Sequence, residues 1–194
     1  MLERNLQNLH NEIATCERCS LHKHRIQVVD FDGNVRAKVA IVGDSPGNEE
    51  DACGIPFKGS DGKLLRKMLL KVGVNPSTDA FLINAVRCRP MGNATPSETN
   101  LEACRVWWLR QLSLVRPALI VTVGSVATSA ILRRPVHILK ERGVIRKFKF
   151  RSSIGERVET DLMPIFHPSY AIRNGIKVKR IFQSDLERIL PYIK

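Results

Sequence analysis

Residues 38–47, KVAIVGDSPG, join a short apolar run to a loop punctuated by glycine and proline. The run over residues 38–42 has the length and the β-branched composition of a buried strand. Runs of the same kind recur at residues 80–86, 117–123 and 162–166. The stretch therefore predicts the first strand of a sheet, with a polar loop at its carboxyl end.

Helical patterns lie between the predicted strands. Apolar residues at helical spacing predict an opening helix that leads into Cys16, and residues 64–70 predict a helix that ends at Gly73. The segment TPSE at residues 95–98 reads as a capping box with proline in the first turn, and it opens a third helix. The remaining predictions are a helix from Gly124 to Leu132, a basic hairpin over residues 144–155 and a final helix over residues 178–190.

Strands that alternate with helices favour a sheet covered by helices on both faces. We expect an α/β fold with one domain over residues 1–194, arranged as three α/β/α layers around a central, mostly parallel four-stranded sheet. In such folds ligands bind outside the carboxyl ends of the strands. Four residues end or follow predicted strands, so their loops are expected to converge on one cleft: Asp44, Asn84, Gly124 and His167.

The chain is strongly basic, with 31 Lys and Arg against 19 Asp and Glu and a formal net charge of +12. An excess of this size is expected of a protein that neutralises the phosphates of a nucleic acid. The alternative is a solvated basic surface that serves solubility. The sequence has no apolar run that would span a bilayer and no secretory signal, so we expect a cytoplasmic protein without a membrane partner, or a nuclear one in a compartmented cell.

Four of the five cysteines are spaced as a ligand set. Cys16 and Cys19 form a C-x2-C pair, and Cys88 and Cys104 supply two further thiols. Four thiolates bind either zinc or an iron–sulfur centre, and the spacing alone does not separate the two. Without a secretory signal a disulfide framework is not expected, and Cys53 reads as a small packed or loop residue.

The loops of the expected cleft carry side chains suited to a planar ligand. Phe57 either anchors the core or stacks on a ring. Asn84 donates and accepts hydrogen bonds together, as reading a pyrimidine edge requires. His167 is either structural or stabilises charge on a ligand oxygen. The four carboxylates of residues 43–51 form either a solvated acidic loop or an acid–base site.

In this order the motifs resemble those of the iron–sulfur uracil-DNA glycosylases, the group called family 4. Each motif alone is weak, whereas the set is specific and covers essentially the whole chain. The resemblance rests on Cys16-x2-Cys19, GDSPGNEED at 43–51, GIPFKG at 54–59, LIN at 82–84, CRP at 88–90, EAC at 102–104, PALIV at 117–121, Arg142-Gly143 and HPS at 167–169.

The resemblance implies a [4Fe–4S] cluster with Cys16, Cys19, Cys88 and Cys104 as its ligands. Hydrolysis of an N-glycosidic bond needs no electron transfer, so the implied role of the cluster is structural. The implied partner is DNA that contains uracil, single- or double-stranded, and the protein is expected to be a monomer.

The resemblance also implies that uracil is flipped out of the DNA and cut from its deoxyribose. Asp44 would position water or stabilise the sugar cation, and His167 would stabilise charge on the uracil oxygen. Glu50 is a second catalytic candidate, which would position the water in place of Asp44 or act through loop structure. The implied binding residues are Gly43, Ser45, Phe57 and Asn84 for the base, and Pro168, Ser169, Tyr170 and Arg173 for the DNA.

Several positions depart from the family pattern. Asp44 stands where glutamate is usual, and Lys58 stands where a small apolar residue is common. Lys58 would contact phosphate or, less plausibly, act as an amine nucleophile. Ala171 replaces a larger residue in the segment expected to press into the duplex, which leaves Tyr170 and Ile172 for that task.

Two alternatives to uracil excision follow from these departures. The first keeps the fold and the chemistry but acts on another deaminated or modified base. The second is a DNA-binding module stabilised by a cluster and impaired in catalysis. The shortened carboxylate and the basic surface support the second alternative, and the presence of Phe57, Asn84 and His167 argues against it.

Overall fold

The computed structural model describes residues 1–152 and 154–193. Its strands form one sheet in the order β1-β3-β2-β4-β6-β5. The central four strands pair in parallel, and the edge strands β1 and β5 pair antiparallel to their neighbours. The strands are β1 Asp32–Gly33, β2 Val39–Gly43, β3 Ala80–Asn84, β4 Leu119–Val123, β5 Arg146–Arg151 and β6 Arg157–Ile165.

Helices cover both faces of this sheet. The helices are α1 Leu2–Ala14, α2 Asn48–Cys53, α3 Ser60–Lys71, α4 Glu98–Val115, α5 Gly124–Leu132, α6 Ile138–Glu141, α7 Pro168–Arg173, α8 Gly175–Glu187 and α9 Leu190–Ile193. Within the described residues, none of them has the length and apolar character needed to cross a membrane.

Strand β2 shows how the layers arise. Val39 and Ile41 pack on one face with α3, α7 and α8, and Ala40 and Val42 pack on the other face with α4 and α5. Successive side chains of a strand point to opposite faces, so an apolar run of this kind is buried on both sides. The predicted α/β/α arrangement and its parallel four-stranded centre are confirmed.

Two strand predictions differ from the structure. The two-residue edge strand β1 was not predicted, and the sheet has six strands where four were expected. The second arm of the basic hairpin and the last predicted strand are one strand, β6. Its first half alternates between exposed and buried residues beside the edge strand β5, and its second half is buried on both faces, so one strand carries two patterns.

The predicted capping box at residues 95–98 is wrong. Ser97 is the N-cap of α4: its Oγ accepts from the Asn100 amide at 3.2 Å, and Asn100 Oδ1 accepts from the Ser97 amide at 3.2 Å. Pro96 therefore precedes the helix. The final predicted helix is divided between α8 and α9, and the short helices α2, α6 and α7 were not predicted, because fewer than two turns leave little periodicity.

Candidate active site and cysteine cluster

A cleft of about 640 Å³ opens at the carboxyl ends of the parallel strands. Asp44 follows β2, Asn84 ends β3 and His167 follows β6, and all three line this cleft. Gly124 begins α5 directly after β4, and a Cβ at this glycine would lie 3.4 Å from His167 Cδ2 and 3.6 Å from Asp44 Oδ2. The structure thus brings together the four strand ends that the sequence pattern indicates.

Gly43, Phe57 and Asn84 lie against one another in the cleft. A Cβ at Gly43 would be 2.5 Å from Asn84 Oδ1 and 2.7 Å from Phe57 Cζ, so a larger residue has no room there. Asn84 is buried, with 3% of its surface exposed, and its side chain lines the cleft. An aromatic ring and an amide therefore meet in one small space.

Phe57 is held in an unusual backbone conformation. Its φ of 58° lies in the left-handed region, which costs a bulky residue on the order of 1–3 kcal/mol. Arg66 stabilises the turn, because its Nε donates to the Phe57 carbonyl at 2.9 Å and its guanidinium donates to the Pro56 carbonyl at 2.9 Å. The ring packs against the core and also lines the cleft, so the two readings of this residue do not exclude each other.

Asp44 is fixed by the first turn of α5. Its Oδ1 accepts from the Ala127 amide at 2.7 Å, and its Oδ2 faces Gly124. Burial raises the pKa of Asp44 above its usual range, and the neighbouring His167 and the Ala127 amide partly oppose this shift. Oδ1 therefore holds the carboxylate in place, and Oδ2 remains available to contact a ligand or water.

The imidazole of His167 is oriented by its own helix. His167 caps α7, and its Nδ1 accepts from the Ser169 amide at 3.3 Å and lies 2.8 Å from Ser169 Oγ. Both contacts use Nδ1, which leaves Nε2 for a ligand. Asp61 Oδ2 lies 3.8 Å from the same Nδ1 at the wall of the cleft.

Glu50 holds two loops together. It is buried, and its Oε1 accepts from the amides of Lys58 at 2.9 Å and Gly59 at 2.6 Å. Its Oε2 accepts from the Gly47 amide at 3.0 Å. The carboxylate thus joins the loop after β2 to the loop that carries Phe57.

Lys58 points to Asp32, with Nζ 4.0 Å from Oδ2, and does not line the cleft. The same carboxylate binds Arg66, so Lys58 belongs to an ion-pair group behind the Phe57 loop. The amine-nucleophile reading has no support in this geometry.

The four predicted DNA-contacting residues separate into two groups. Ser169 and Arg173 line the cleft. Pro168 is buried, and the Tyr170 ring packs against Phe166 with centroids 4.9 Å apart. Tyr170 is half-buried, and neither it nor Pro168 lines the cleft, whereas Ile172 is 48% exposed.

Sequence reasoning missed Asp61 and the segment at residues 93–96, which also line the cleft. An acidic residue in the first turn of a helix is ordinary, so Asp61 gave no functional signal. The segment 93–96 is held by Arg89, whose Nε donates to Asn93 Oδ1 at 2.7 Å and whose guanidinium donates to Asn48 Oδ1 at 3.0 Å. A pattern in the sequence does not reveal such contacts.

The four predicted ligand cysteines line one small cavity beside α1 and α4. Three of their sulfurs accept N–H hydrogen bonds: Cys16 from Trp107 Nε1 at 3.2 Å, Cys88 from Arg25 at 3.2 Å and Cys104 from the Arg87 amide at 3.3 Å. All five cysteines are free thiols, and Cys53 is exposed, away from this cavity.

Among the described residues, no group of three His, Cys, Asp or Glu side chains is close enough to hold one metal ion. A tetrahedral zinc site would bring its four sulfurs to within about 3.8 Å of one another. Burial raises the pKa of Cys104 to about 12 and also raises that of Cys88, and a bound metal centre would displace the protons of these thiols.

Residues 31–192 match the family model described as the uracil DNA glycosylase superfamily. The chain is 35% identical over 184 residues to a type-4 uracil-DNA glycosylase of Thermotoga maritima, which covers 94% of this chain and 91% of the relative. It is 33% identical over 181 residues to a type-4 enzyme of Pyrobaculum aerophilum, which covers 93% and 91%, respectively.

A third type-4 uracil-DNA glycosylase, from Saccharolobus solfataricus, is 31% identical over 186 residues, 95% of this chain and 85% of the relative. The resemblance to the family 4 group, inferred from the motifs, is confirmed by these matches. Because the family model covers most of the chain and the relatives align along nearly their whole length, the chain belongs to the uracil DNA glycosylase superfamily.

Proposed function

We propose that this protein is a DNA repair glycosylase that hydrolyses the N-glycosidic bond of uracil in DNA, giving free uracil and an abasic site. The observation that carries the proposal is the meeting of Phe57 and Asn84 with Asp44 and His167 in one cleft at the strand ends. The relatives that align with nearly the whole chain are named uracil-DNA glycosylases.

The cleft would bind a uracil that has left the base stack, because the bond to be broken is inaccessible within a duplex. The base stacks on Phe57, and the Asn84 amide accepts from uracil N3–H and donates to O4. Cytosine presents the opposite order of donor and acceptor, so an amide held in one orientation rejects it. Gly43 leaves the space that this arrangement needs, and Ser45 lines the same wall.

His167 would stabilise the leaving base. The Ser169 amide donates to Nδ1, which places the proton of the neutral imidazole on Nε2. From there it donates to the uracil oxygen as negative charge develops in an oxocarbenium-like transition state. A donor of this kind is worth about 10²–10³ in rate.

Asp44 would act on the sugar. Its Oδ1 is occupied by the Ala127 amide, and Oδ2 is left to orient the attacking water or to stabilise the positive charge on the deoxyribose. Glu50, in contrast, has both oxygens engaged by backbone amides. We infer that Glu50 contributes by holding the loops and that Asp44 is the reacting carboxylate.

We further propose that Cys16, Cys19, Cys88 and Cys104 hold a [4Fe–4S] cluster. The residues fit this group, because four free thiols surround one cavity and N–H donors point at three of the sulfurs. When bound, the cluster would cross-link α1, α4 and the segment after β3.

The cysteine cavity and the cleft are joined by a short stretch of chain. Residues 84–88 run from Asn84 in the cleft to Cys88, and Arg89 binds the cleft segment through Asn93. A cluster would therefore position the base-reading amide without taking part in hydrolysis. The single domain over residues 1–194, the monomeric state and the cytoplasmic location remain predictions.

A panel of lesion-containing DNA strands tests the proposed function. The wild-type protein is expected to release uracil from single- or double-stranded DNA, and Asn84→Ala is expected to lose this activity while it keeps its fold. Release of another deaminated base, such as hypoxanthine, in place of uracil would favour the same fold with a different substrate. DNA binding without release of any base, in protein that contains iron, would favour a module without catalysis.

A further inference from the structure

A second groove lies beside the cleft, between α3 and α8. It measures about 480 Å³ and is lined by Met68, Lys71, Ile176, Lys179, Arg180, Gln183, Ser184 and Glu187. We call it the α3–α8 groove. Nothing in the hydrolysis of the glycosidic bond assigns a task to these residues, because none of them lines the cleft.

The wall that α7 and α8 supply is basic along its exposed surface. Residues 162–184 contain no Asp or Glu. Within eight residues they carry four exposed cations, Arg173, Lys177, Lys179 and Arg180. In the described part of the chain, neither these four side chains nor Lys71 across the groove form an ion pair.

Much of the remaining basic surface is already neutralised. In the hairpin of β5 and β6, Lys147 lies 2.9 Å from Asp161 and Lys149 lies 3.1 Å from Glu159. The single acid of the α3–α8 groove is Glu187 near the end of α8, which accepts from Gln183 at 3.0 Å. Among the described residues, the lining of the groove therefore holds three cations without an ion pair, Lys71, Lys179 and Arg180, against one acid, whereas Lys147 and Lys149 of the hairpin are paired.

Helix α3 contributes to both the cleft and the groove. Helix α3 begins in the cleft wall with Ser60 and Asp61 and ends at Lys71, about 16 Å further along its axis. On the other side Arg173 lines the cleft, and α8 begins two residues later. A DNA strand that left the cleft alongside α3 would therefore reach the cations of α8.

We propose that the α3–α8 groove binds the phosphodiester backbone of the DNA strand that flanks the extruded nucleotide. The identity of the strand rests on the proposed function, whereas the charge complementarity does not. Each cation that neutralises a phosphate releases a counterion, so binding through this groove steepens the salt dependence of affinity. The exposed side chain of Ile176, between the cations, contacts the deoxyribose face of the strand.

The test is the salt dependence of binding to a uracil-free duplex, measured between about 50 and 200 mM salt. The double substitution Lys179→Gln and Arg180→Gln is expected to weaken binding at low salt. It should also reduce the slope of log affinity against log salt by about 1.8, or about 0.9 for each cation that contacts duplex DNA. Glutamine keeps the helix propensity of α8, and circular dichroism checks that the fold is retained.

The matched control is Arg151→Gln with Arg157→Gln, which removes the same charge from the exposed end of the β5–β6 hairpin. This control is expected to leave the slope unchanged. An equal change in both double variants would overturn the proposal, because net charge alone would then explain it. No change in either variant would also overturn it and would point to an acidic protein as the partner of the groove.

These experiments distinguish a failure of the proposed function from a failure of the groove proposal. A wild-type protein that releases no uracil contradicts the proposed function and leaves the slope comparison intact. A wild-type protein that releases uracil, with a groove variant whose slope is unchanged, contradicts the groove alone.

Discussion

Two residues of the cleft are held in energetically unfavourable states, one in its backbone conformation and the other in the desolvation of its carboxyl group. Phe57 has a left-handed backbone conformation, and Asp44 is a half-buried carboxyl group beside an imidazole. Both are fixed by surrounding groups, Phe57 by Arg66 and Asp44 by the Ala127 amide. Strained or desolvated groups persist where the rest of the structure determines them, and they concentrate at functional sites.

Asp44→Asn is expected to reduce the rate of uracil release at least about a hundredfold, because the neutral amide neither orients water nor stabilises a cation as a carboxylate does. As the pH is lowered, the wild-type rate should begin to fall at a pH above the ordinary aspartate pKa of 3.8, because burial raises the pKa of Asp44. Single-turnover rates across a pH series measure both effects.

The stability of the Asp44→Asn variant is the control for its activity. A carboxyl group whose pKa is raised by folding binds its proton more tightly in the folded state, so its ionised form reduces stability above that pKa. Asp44→Asn should therefore unfold no more easily than wild type at pH 7. A variant that keeps the wild-type rate would contradict the role given to Asp44.

Gly62→Ala tests the support of Phe57. Alanine ordinarily stabilises a helix relative to glycine by roughly 0.5–1 kcal/mol. Here a Cβ would lie 2.2 Å from the Phe57 carbonyl carbon, so we expect a destabilisation of about 1–3 kcal/mol and weaker binding of uracil-containing DNA. Lys67→Ala, at an exposed position of α3, is the control in thermal unfolding, and a stabilised Gly62→Ala would show that the contact does not constrain the loop.

At the scale of elements, the cleft depends on side-chain contacts that join one loop to another. Glu50 in α2 binds the amides of the Phe57 loop, and Arg89 binds both Asn48 at the start of α2 and Asn93 after β3. Helix α2 has only six residues, so these side chains, more than its own backbone, position it.

Glu50→Gln is expected to lower the free energy of unfolding by about 1.5–3 kcal/mol, because an amide NH₂ faces backbone donors where a carboxylate oxygen accepted from them. Uracil release should also slow, since the Phe57 loop is no longer tied to the loop after β2. Glu49→Gln, at the neighbouring exposed position, is the control. Equal unfolding curves for the two variants would show that the Glu50 contacts contribute no stability.

Elements with a uniform pattern were predictable from sequence, and elements with a mixed pattern were not. Strand β4 and helix α5 lie within two residues of their predicted bounds, because one is apolar at all but one position and the other begins at a glycine. Strand β6 was predicted in two pieces, since its pattern changes where its neighbours change. Asp61 escaped prediction because its approach to His167 joins residues about 100 positions apart.

At the scale of the whole molecule, the cysteine cavity joins helix α1, at the start of the chain, to helix α4, about 100 residues later. Leu9 and Ile13 of α1 pack with Val86 and Trp107 around the cysteines in a hydrophobic cluster of their own. This cluster is small, so a bound metal centre would contribute much of its stability. Loss of the proposed centre would therefore weaken the attachment of α1 to α4, which the Arg110–Glu12 ion pair also supports.

Cys104→Ser is expected to lose iron and to lower the free energy of unfolding by more than about 2 kcal/mol, or about 4–8 °C in melting temperature for a chain of this size. Cys53→Ser is the matched control, because Cys53 is exposed and does not line the cavity. Iron content and thermal unfolding are measured on both proteins. Full iron content in the Cys104 variant would contradict the ligand set.

The most direct measurement of what the cleft does is the single-turnover release of free uracil from a uracil-containing duplex. Wild-type protein should release uracil and leave an abasic site, and His167→Ala should do so about 10²–10³-fold more slowly while it binds the duplex as before. Wild-type protein that contains iron and releases no uracil, or a His167→Ala variant with the full rate, would contradict the assignment of this cleft as a uracil-DNA glycosylase site.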